Sequence, residues 1–319
     1  VTGPLGPLPG DAPLAWWPRG WPGELLRIAA FMVVMTALAV VLGSAWALLP
    51  VPAQGGWLFA GAVVVAAAAI MAGVLLIRLL DGRPAAALGI GISRRTLPHV
   101  ALGGVIGAAG LVTAVLGIAA AGAIAWERQP GSAGAWLAAV AGQGVIFAVA
   151  ALAEEALFRG YAFQVLVRWA GPVFATSLGA ALFAAAHGAN PEVGVLALLN
   201  IFLAGVLLGI AYLRTLSLWF ATALHMTWNW CMATLFDLPV SGITIFDTPL
   251  YDADVGGPRW WTGGAFGPEG GLVGTIGFGL ALLLVLRMRS VAADETIVAA
   301  RPIVLDRARL AGTAGWERS

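Results

Sequence analysis

Apolar residues in this chain come in long uncharged blocks separated by short polar stretches. The blocks are Ile28–Leu49, Trp57–Ile77, Val100–Trp126 and Ala135–Ala153, then Gly171–Ala186, Val193–Leu213, Thr215–Phe236 and Gly270–Leu286. A helix needs roughly 20 apolar residues to cross a hydrocarbon core about 30 Å thick. The pattern therefore predicts an all-α polytopic membrane protein with about eight transmembrane helices, the fifth and eighth of them short. Gly103, Gly107 and Gly110 give the third predicted helix a small-residue face on which a neighbour can pack closely.

Three regions follow from this pattern. Residues 1–24 form a Pro/Gly-rich cytoplasmic tail ending in the interfacial tryptophans Trp16, Trp17 and Trp21. This tail lacks the charged start and short apolar stretch of a signal peptide and is expected to stay in the mature protein. Residues 25–290 form the membrane domain, with the chemistry concentrated in 135–236, and 291–319 form a second cytoplasmic tail. The longest polar segment, Asp237 to Glu269, is acidic, holds Asp247, Asp252 and Asp254, and carries Trp260 and Trp261 as an interface anchor.

Composition sharpens the class. The 319 residues are 60% hydrophobic and only 10% charged, with mean hydropathy +0.91, whereas soluble domains carry about 25% charged residues. A net charge of +1 argues against a nucleic-acid partner. The single cysteine, Cys231, excludes a disulfide framework and a CxxC metal site. Arginines gather on the cytoplasmic side of membrane proteins. With eight spans and a cytoplasmic amino terminus, fourteen fall inside and two, Arg128 and Arg259, outside, with Arg159 set apart. Both termini are thus predicted cytoplasmic in an integral membrane protein, and the Asp237–Glu269 loop external.

Three charged side chains gather at the end of an apolar block in Glu154-Glu155-Ala-Leu-Phe-Arg159-Gly160. A carboxylate in mid-membrane costs about 2.5–3.5 kcal/mol on insertion scales, so such groups mark function. Glu155 and Arg159 stand at i and i+4 and can neutralise each other, leaving Glu154 for chemistry. Two of the three histidines also lie deep in apolar blocks: His187 ends Phe183-Ala-Ala-Ala-His187, and His225 stands four residues before Asn229 on one helix face. The third, His99, reads as an interface residue. Ala170-Gly171-Pro172 is the natural turn of a hairpin whose arms place Glu154 and His187 at equal distance from it, so the two can meet.

Two chemistries fit these residues. In one, Glu154 and His187 deprotonate a water that attacks a peptide carbonyl while His225 and Asn229 stabilise the oxyanion. In the other, Glu154, His187 and His225 ligate a divalent metal such as zinc, which activates the water. No HExxH is present, so spacing does not demand a metal.

The order EExxxR, FxxxH, HxxxN, carried by Glu154-Glu155…Arg159, Phe183…His187 and His225…Asn229, resembles the CPBP (Abi) family of intramembrane proteases. These are bacterial relatives of the type II CAAX prenyl endopeptidases. The likeness extends over roughly Gly82 to Phe236. It implies an eight-helix fold in a bacterial plasma membrane and an endopeptidase acting on a membrane-associated protein or peptide. It also implies that Glu154 and His187 work on water, that His225 and Asn229 form the oxyanion site, and that Glu155, Arg159 and Phe183 support them. Members of the family are often labelled metalloproteases. A non-catalytic membrane scaffold or bacteriocin self-immunity protein is the alternative. A transporter is less consistent with the sequence, which has no second copy of the motifs.

Overall fold

The computed structural model describes residues 20–48, 56–246 and 248–306. Trp16, Trp17, Arg19, Asp247, Arg307, Arg309 and Arg318 lie outside the described residues.

Helices α1 (Trp21–Trp46), α2 (Gly56–Asp81) and α3 (Thr96–Ala120) follow the first three apolar blocks. The fourth block becomes two helices, α4 (Ala133–Arg159) and α5 (Tyr161–Ala170), and α6 (Pro172–Ala186) follows. Next come α7 (Val195–Thr215) and α8 (Leu218–Trp230), which runs into a π-helical turn, Cys231–Leu235. A four-residue α9 (Arg259–Thr262), α10 (Leu272–Arg287) and the short α11 (Glu295–Ala299) complete the order. The protein is a helical membrane bundle. Five helical stretches among the described residues are long and apolar enough to cross a membrane: α1, α2, α3, the α4–α5 pair and α7. At 1.5 Å per residue, the 15 residues of α6 and the 16 of α10 rise only about 22–24 Å, short of the hydrocarbon thickness.

Local chemistry explains the boundaries. Ser132 caps α4 by accepting the Ala135 amide at 3.1 Å, and Ser217 caps α8 by accepting that of Phe220 at 3.4 Å. The predicted turn at Ala170-Gly171-Pro172 is present: Gly171 takes φ +95° and Pro172 opens α6. The break between α4 and α5 falls at Gly160, where a Cβ would stand 2.1 Å from the Ala156 carbonyl oxygen. A residue with a side chain could not turn the chain there.

The all-α expectation needs one addition. β1 (Ile124–Arg128) pairs antiparallel with β2 (Tyr251–Val255), with Ile124 opposite Val255 and Arg128 opposite Tyr251. This ribbon draws the Asp237–Glu269 segment over one end of the bundle.

The bundle is built so that α8 lies between α3 and α4. The predicted glycine face of α3 does the packing on one side. A Cβ at Gly103 would meet the Phe220 carbonyl oxygen at 2.5 Å, and one at Gly107 would meet that of Leu224 at 2.3 Å. Gly110 and Gly277 face each other in the same way between α3 and α10. Such contact of backbones is how membrane helices gain van der Waals energy without a hydrophobic driving force.

At the opposite end from the ribbon a buried ionic network ties α1, α2 and α5. Asp81 Oδ1 accepts from Arg27 at 2.7 Å and Arg168 at 3.0 Å, and Asp81 Oδ2 accepts from the Tyr161 hydroxyl at 2.8 Å. Arg168 also pairs with Glu24 at 2.6 Å. The segment after α10 folds back on this end: Arg83 pairs with Asp306 at 2.6 Å, and the Ile303 amide donates to Gln164 at 2.7 Å. His99, expected at an interface, is buried by this same segment, its Nε2 lying 3.1 Å from the Ala292 carbonyl oxygen.

Candidate active site

Glu155, near the end of α4, is fully buried. Its Oε1 pairs with Arg159 at 3.2 Å, one turn on, as the i, i+4 spacing requires. Arg159 is completed by the Gly205 carbonyl of α7 at 3.0 Å and by the Phe183 ring, whose centroid lies 4.8 Å away. Phe183 thereby earns its place in the motif, since one ring serves the guanidinium and also stacks near both imidazoles, at 4.7 Å from His187 and 6.0 Å from His225.

The same Glu155 oxygen lies 3.0 Å from His225 Nδ1. A carboxylate beside Nδ1 accepts that proton and fixes both ring orientation and tautomer. The Nε2 edge of His225 is then turned towards Glu154, whose Oε2 is 3.9 Å away. Glu154 is the less enclosed carboxylate, its side chain 37% exposed against none for Glu155. Its Oε2 is nevertheless turned inward and has no hydrogen-bond partner among the described residues.

His187 sits immediately after α6, where it caps the helix. Its Nδ1 donates to the Phe183 carbonyl at 2.8 Å, which leaves Nε2 as the basic nitrogen. Equal distance from the turn lets His187 and Glu154 meet across a water; among the described residues no direct ion pair joins them, and the imidazole 3.9 Å from Glu154 Oε2 is that of His225. The fourth apolar block is not one straight arm of the hairpin, since it breaks at Gly160 into α4 and α5.

His187, His225 and Asn229 line one cavity with Ser241 and Glu269, among apolar side chains of α7, α8 and α10. Its volume is about 30 Å³, and a single water needs about 10–15 Å³. One or two waters fit. Glu269 was not among the predicted site residues. It is 3% exposed, its Oε1 accepts from Trp228 Nε1 at 3.1 Å and its Oε2 from the Ser241 hydroxyl at 2.6 Å. Its backbone carbonyl accepts from Asn200 at 2.8 Å, fastening the loop to α7. The one sequence signal was its position as the last charge before the final apolar block.

The metal reading finds no support in the donor set. His225 Nδ1 is occupied by Glu155, Nε2 and Glu154 Oε2 are 3.9 Å apart, and no group of three His, Cys, Asp or Glu side chains among the described residues could hold a metal ion. Glu154, His187 and His225 as placed do not form such a group.

The fold and these buried polar groups define an integral membrane protein with a small, partly open cavity that carries polar side chains. The family model described as type II CAAX prenyl endopeptidase Rce1-like matches residues 133–231, from the first turn of α4 to just past α8. All seven motif residues fall inside it, and over these residues the chain is similar to the CPBP/CAAX proteases. A search of the curated proteins finds no match. Family and membrane helices together support a CAAX-type intramembrane protease in general.

Proposed function

We propose that the protein is an endopeptidase hydrolysing a peptide bond of a membrane-associated protein or peptide at the site formed by Glu154, His187, His225 and Asn229. The observation that carries this reading is the Glu154 Oε2, without a hydrogen-bond partner among the described residues and 3.9 Å from Nε2 of His225, an imidazole that lines a water-sized cavity together with His187 and Asn229. In the proposed reaction Glu154, assisted by His187 Nε2, takes a proton from water as its oxygen bonds to the scissile carbonyl carbon. The carbonyl becomes an oxyanion, bound by Asn229 and by Nε2–H of the His225 imidazolium, which Glu155 stabilises at Nδ1. The carbon–nitrogen bond then breaks, and Glu154 returns its proton to the departing amine. Water activation rests on Glu154 and His187 alone, without a metal.

The remaining expectations belong to the same proposal. The short α6, α8 and α10 complete eight passes of the membrane, both termini face the cytoplasm, and the membrane is a bacterial plasma membrane. Convergence of Arg27, Arg83, Arg168 and Arg214 on one end of the bundle, away from Arg128 and Arg259, supports that orientation. The proposal is tested by incubating the full-length protein in bilayers with membrane peptides. Cleavage by wild type that is lost in Glu154→Ala and His187→Ala, each still folded, supports it. Equal cleavage by the variants refutes it.

A further inference from the structure

Among the described residues, Glu269 is a buried carboxyl group with no ion-pair partner. Its two donors, the Trp228 indole and the Ser241 hydroxyl, are both neutral. Burying a carboxylate on neutral donors alone is costly unless a cation joins it. Among the described residues that surround the site, Glu154, Glu155 and Glu269 face one permanent cation, Arg159, and Arg159 is engaged by Glu155. Of the two imidazoles within electrostatic reach of Glu269, His225 is held by Glu155 and faces Glu154, which leaves His187. The Glu269 wall of the cavity is therefore a buried carboxyl whose ionised form calls for a cation.

Shape narrows the complement. A volume of about 30 Å³ takes one or two water-sized groups. An ammonium head is close to that size; a planar guanidinium with its three nitrogens is larger. The rest of the lining is apolar, including Ile201, Leu207, Leu208, Leu224 and Phe278. An alkyl stem bearing an ammonium satisfies both parts of this surface at once. Glu269 comes from the turn before α10, outside the segment 133–231 that the family model matches.

We propose that the Glu269 wall of the cavity is a subsite for a primary ammonium group, supplied by a lysine side chain of the substrate or by the amino terminus that cleavage releases. This rests on the proteolytic reading. In that reading the hydrolysed bond yields a new amine beside the cavity: the proton from Glu154 completes the neutral amine, and the proton given up by the new carboxylic acid makes it an ammonium.

The test uses the full-length protein in bilayers and Glu269→Gln, which keeps the shape of the side chain and removes its charge. Matched peptides carry lysine or norleucine near the cleaved bond, and product peptides carry a free or an acetylated amino terminus. Removing one member of a buried charge pair costs enough to shift a ratio about tenfold or more. A lysine source is indicated when wild type prefers lysine to norleucine by that factor and Glu269→Gln abolishes the preference. A product source is indicated when the free-amino product inhibits about tenfold better than the acetylated one only while Glu269 is present. Ser241→Ala, which removes one hydrogen bond to the carboxylate, shifts the same ratio in the same direction by less and serves if Glu269→Gln does not fold. Ratios that stay within about twofold in both variants overturn the proposal, as does equal loss on every peptide. If wild type cleaves nothing, the proteolytic reading fails by itself. Calorimetric binding of the free-amino and acetylated peptides then decides the subsite: a preference for the amine that Glu269→Gln removes supports it, and equal affinities overturn it.

Discussion

Two clusters of buried charge lie in this bundle, and they differ in how completely they are satisfied. In the network of Arg27, Asp81, Arg168, Glu24 and Tyr161, both Asp81 oxygens are occupied and Glu24 is held by Arg168. In the motif cluster Glu155 is held twice through one oxygen, by Arg159 and His225, while its other oxygen and the inward oxygen of its neighbour Glu154 have no hydrogen-bond partner among the described residues. A network whose carboxylates are paired holds helices together. An unsaturated carboxylate beside an oriented imidazole is able to do chemistry. Residue type does not separate the two clusters, since each contains acids and arginines; the open acceptor does.

The largest expected effect comes from the open carboxylate. Glu154→Ala should lower the cleavage rate about 10²–10⁴-fold, the range for loss of a general base, with little change in melting temperature. A parallel loss of folding would move Glu154 into the structural class. Asp81→Ala should do the reverse: leaving two buried arginines without their shared acceptor costs about 3–5 kcal/mol of stability. Thermal melting in detergent reads this, and unchanged melting would show that the network is dispensable.

Asn229→Ala should lower the turnover rate about 10²–10³-fold, as removal of one oxyanion donor does, with a smaller effect on substrate binding. A change in KM alone would assign Asn229 to binding. Gly107→Ala tests the frame that carries His225. Its Cβ would fall 2.3 Å from the Leu224 carbonyl oxygen, and overpacking of this kind costs about 1–3 kcal/mol. Activity should fall with stability, because the helix that moves is the one bearing the site.

The smallest effect lies outside the membrane segments, at Asp294. Burial acts to raise its carboxyl, but hydrogen bonds from Ser93 and from the Thr296 amide outweigh this and hold it below the usual carboxylate range. A depressed carboxylate contributes stability that is fully present above its unfolded pKa, about 3.9, and is lost as pH falls through the lower folded value. Wild type should therefore lose its stability advantage over Asp294→Asn below about pH 4. An advantage unchanged by acid would remove the carboxylate from the account.

Much of this was legible in the chain because the membrane imposes simple rules. Long uncharged blocks became helices, Gly171-Pro172 became the predicted turn, and Gly103, Gly107 and Gly110 became a packing face. Glu154, Glu155, Arg159, His187 and His225 stood out because charge and histidine are rare in such blocks, and Phe183 and Asn229 came with them through their four-residue spacing to the histidines. What escaped depends on backbone events and distant pairing. The break at Gly160 splits the fourth block into α4 and α5, and nothing in spacing alone distinguishes a bent pair of helices from a straight one; the approach of His225 to both Glu154 and Glu155 was likewise not legible. The β-ribbon joins Ile124–Arg128 to Tyr251–Val255, two short segments more than a hundred residues apart. Glu269 read as part of an external acidic loop because its burial depends on Trp228, Ser241 and Asn200, which come from three other parts of the chain.

The most direct measurement compares wild type with Glu154→Gln, reconstituted in bilayers, for peptide cleavage and thermal melting in the same preparation. Glutamine keeps the size of the side chain and removes the base. The account expects cleavage to fall at least about 10²-fold while melting is unchanged. Cleavage at the wild-type rate, or a loss that only tracks unfolding, would contradict it.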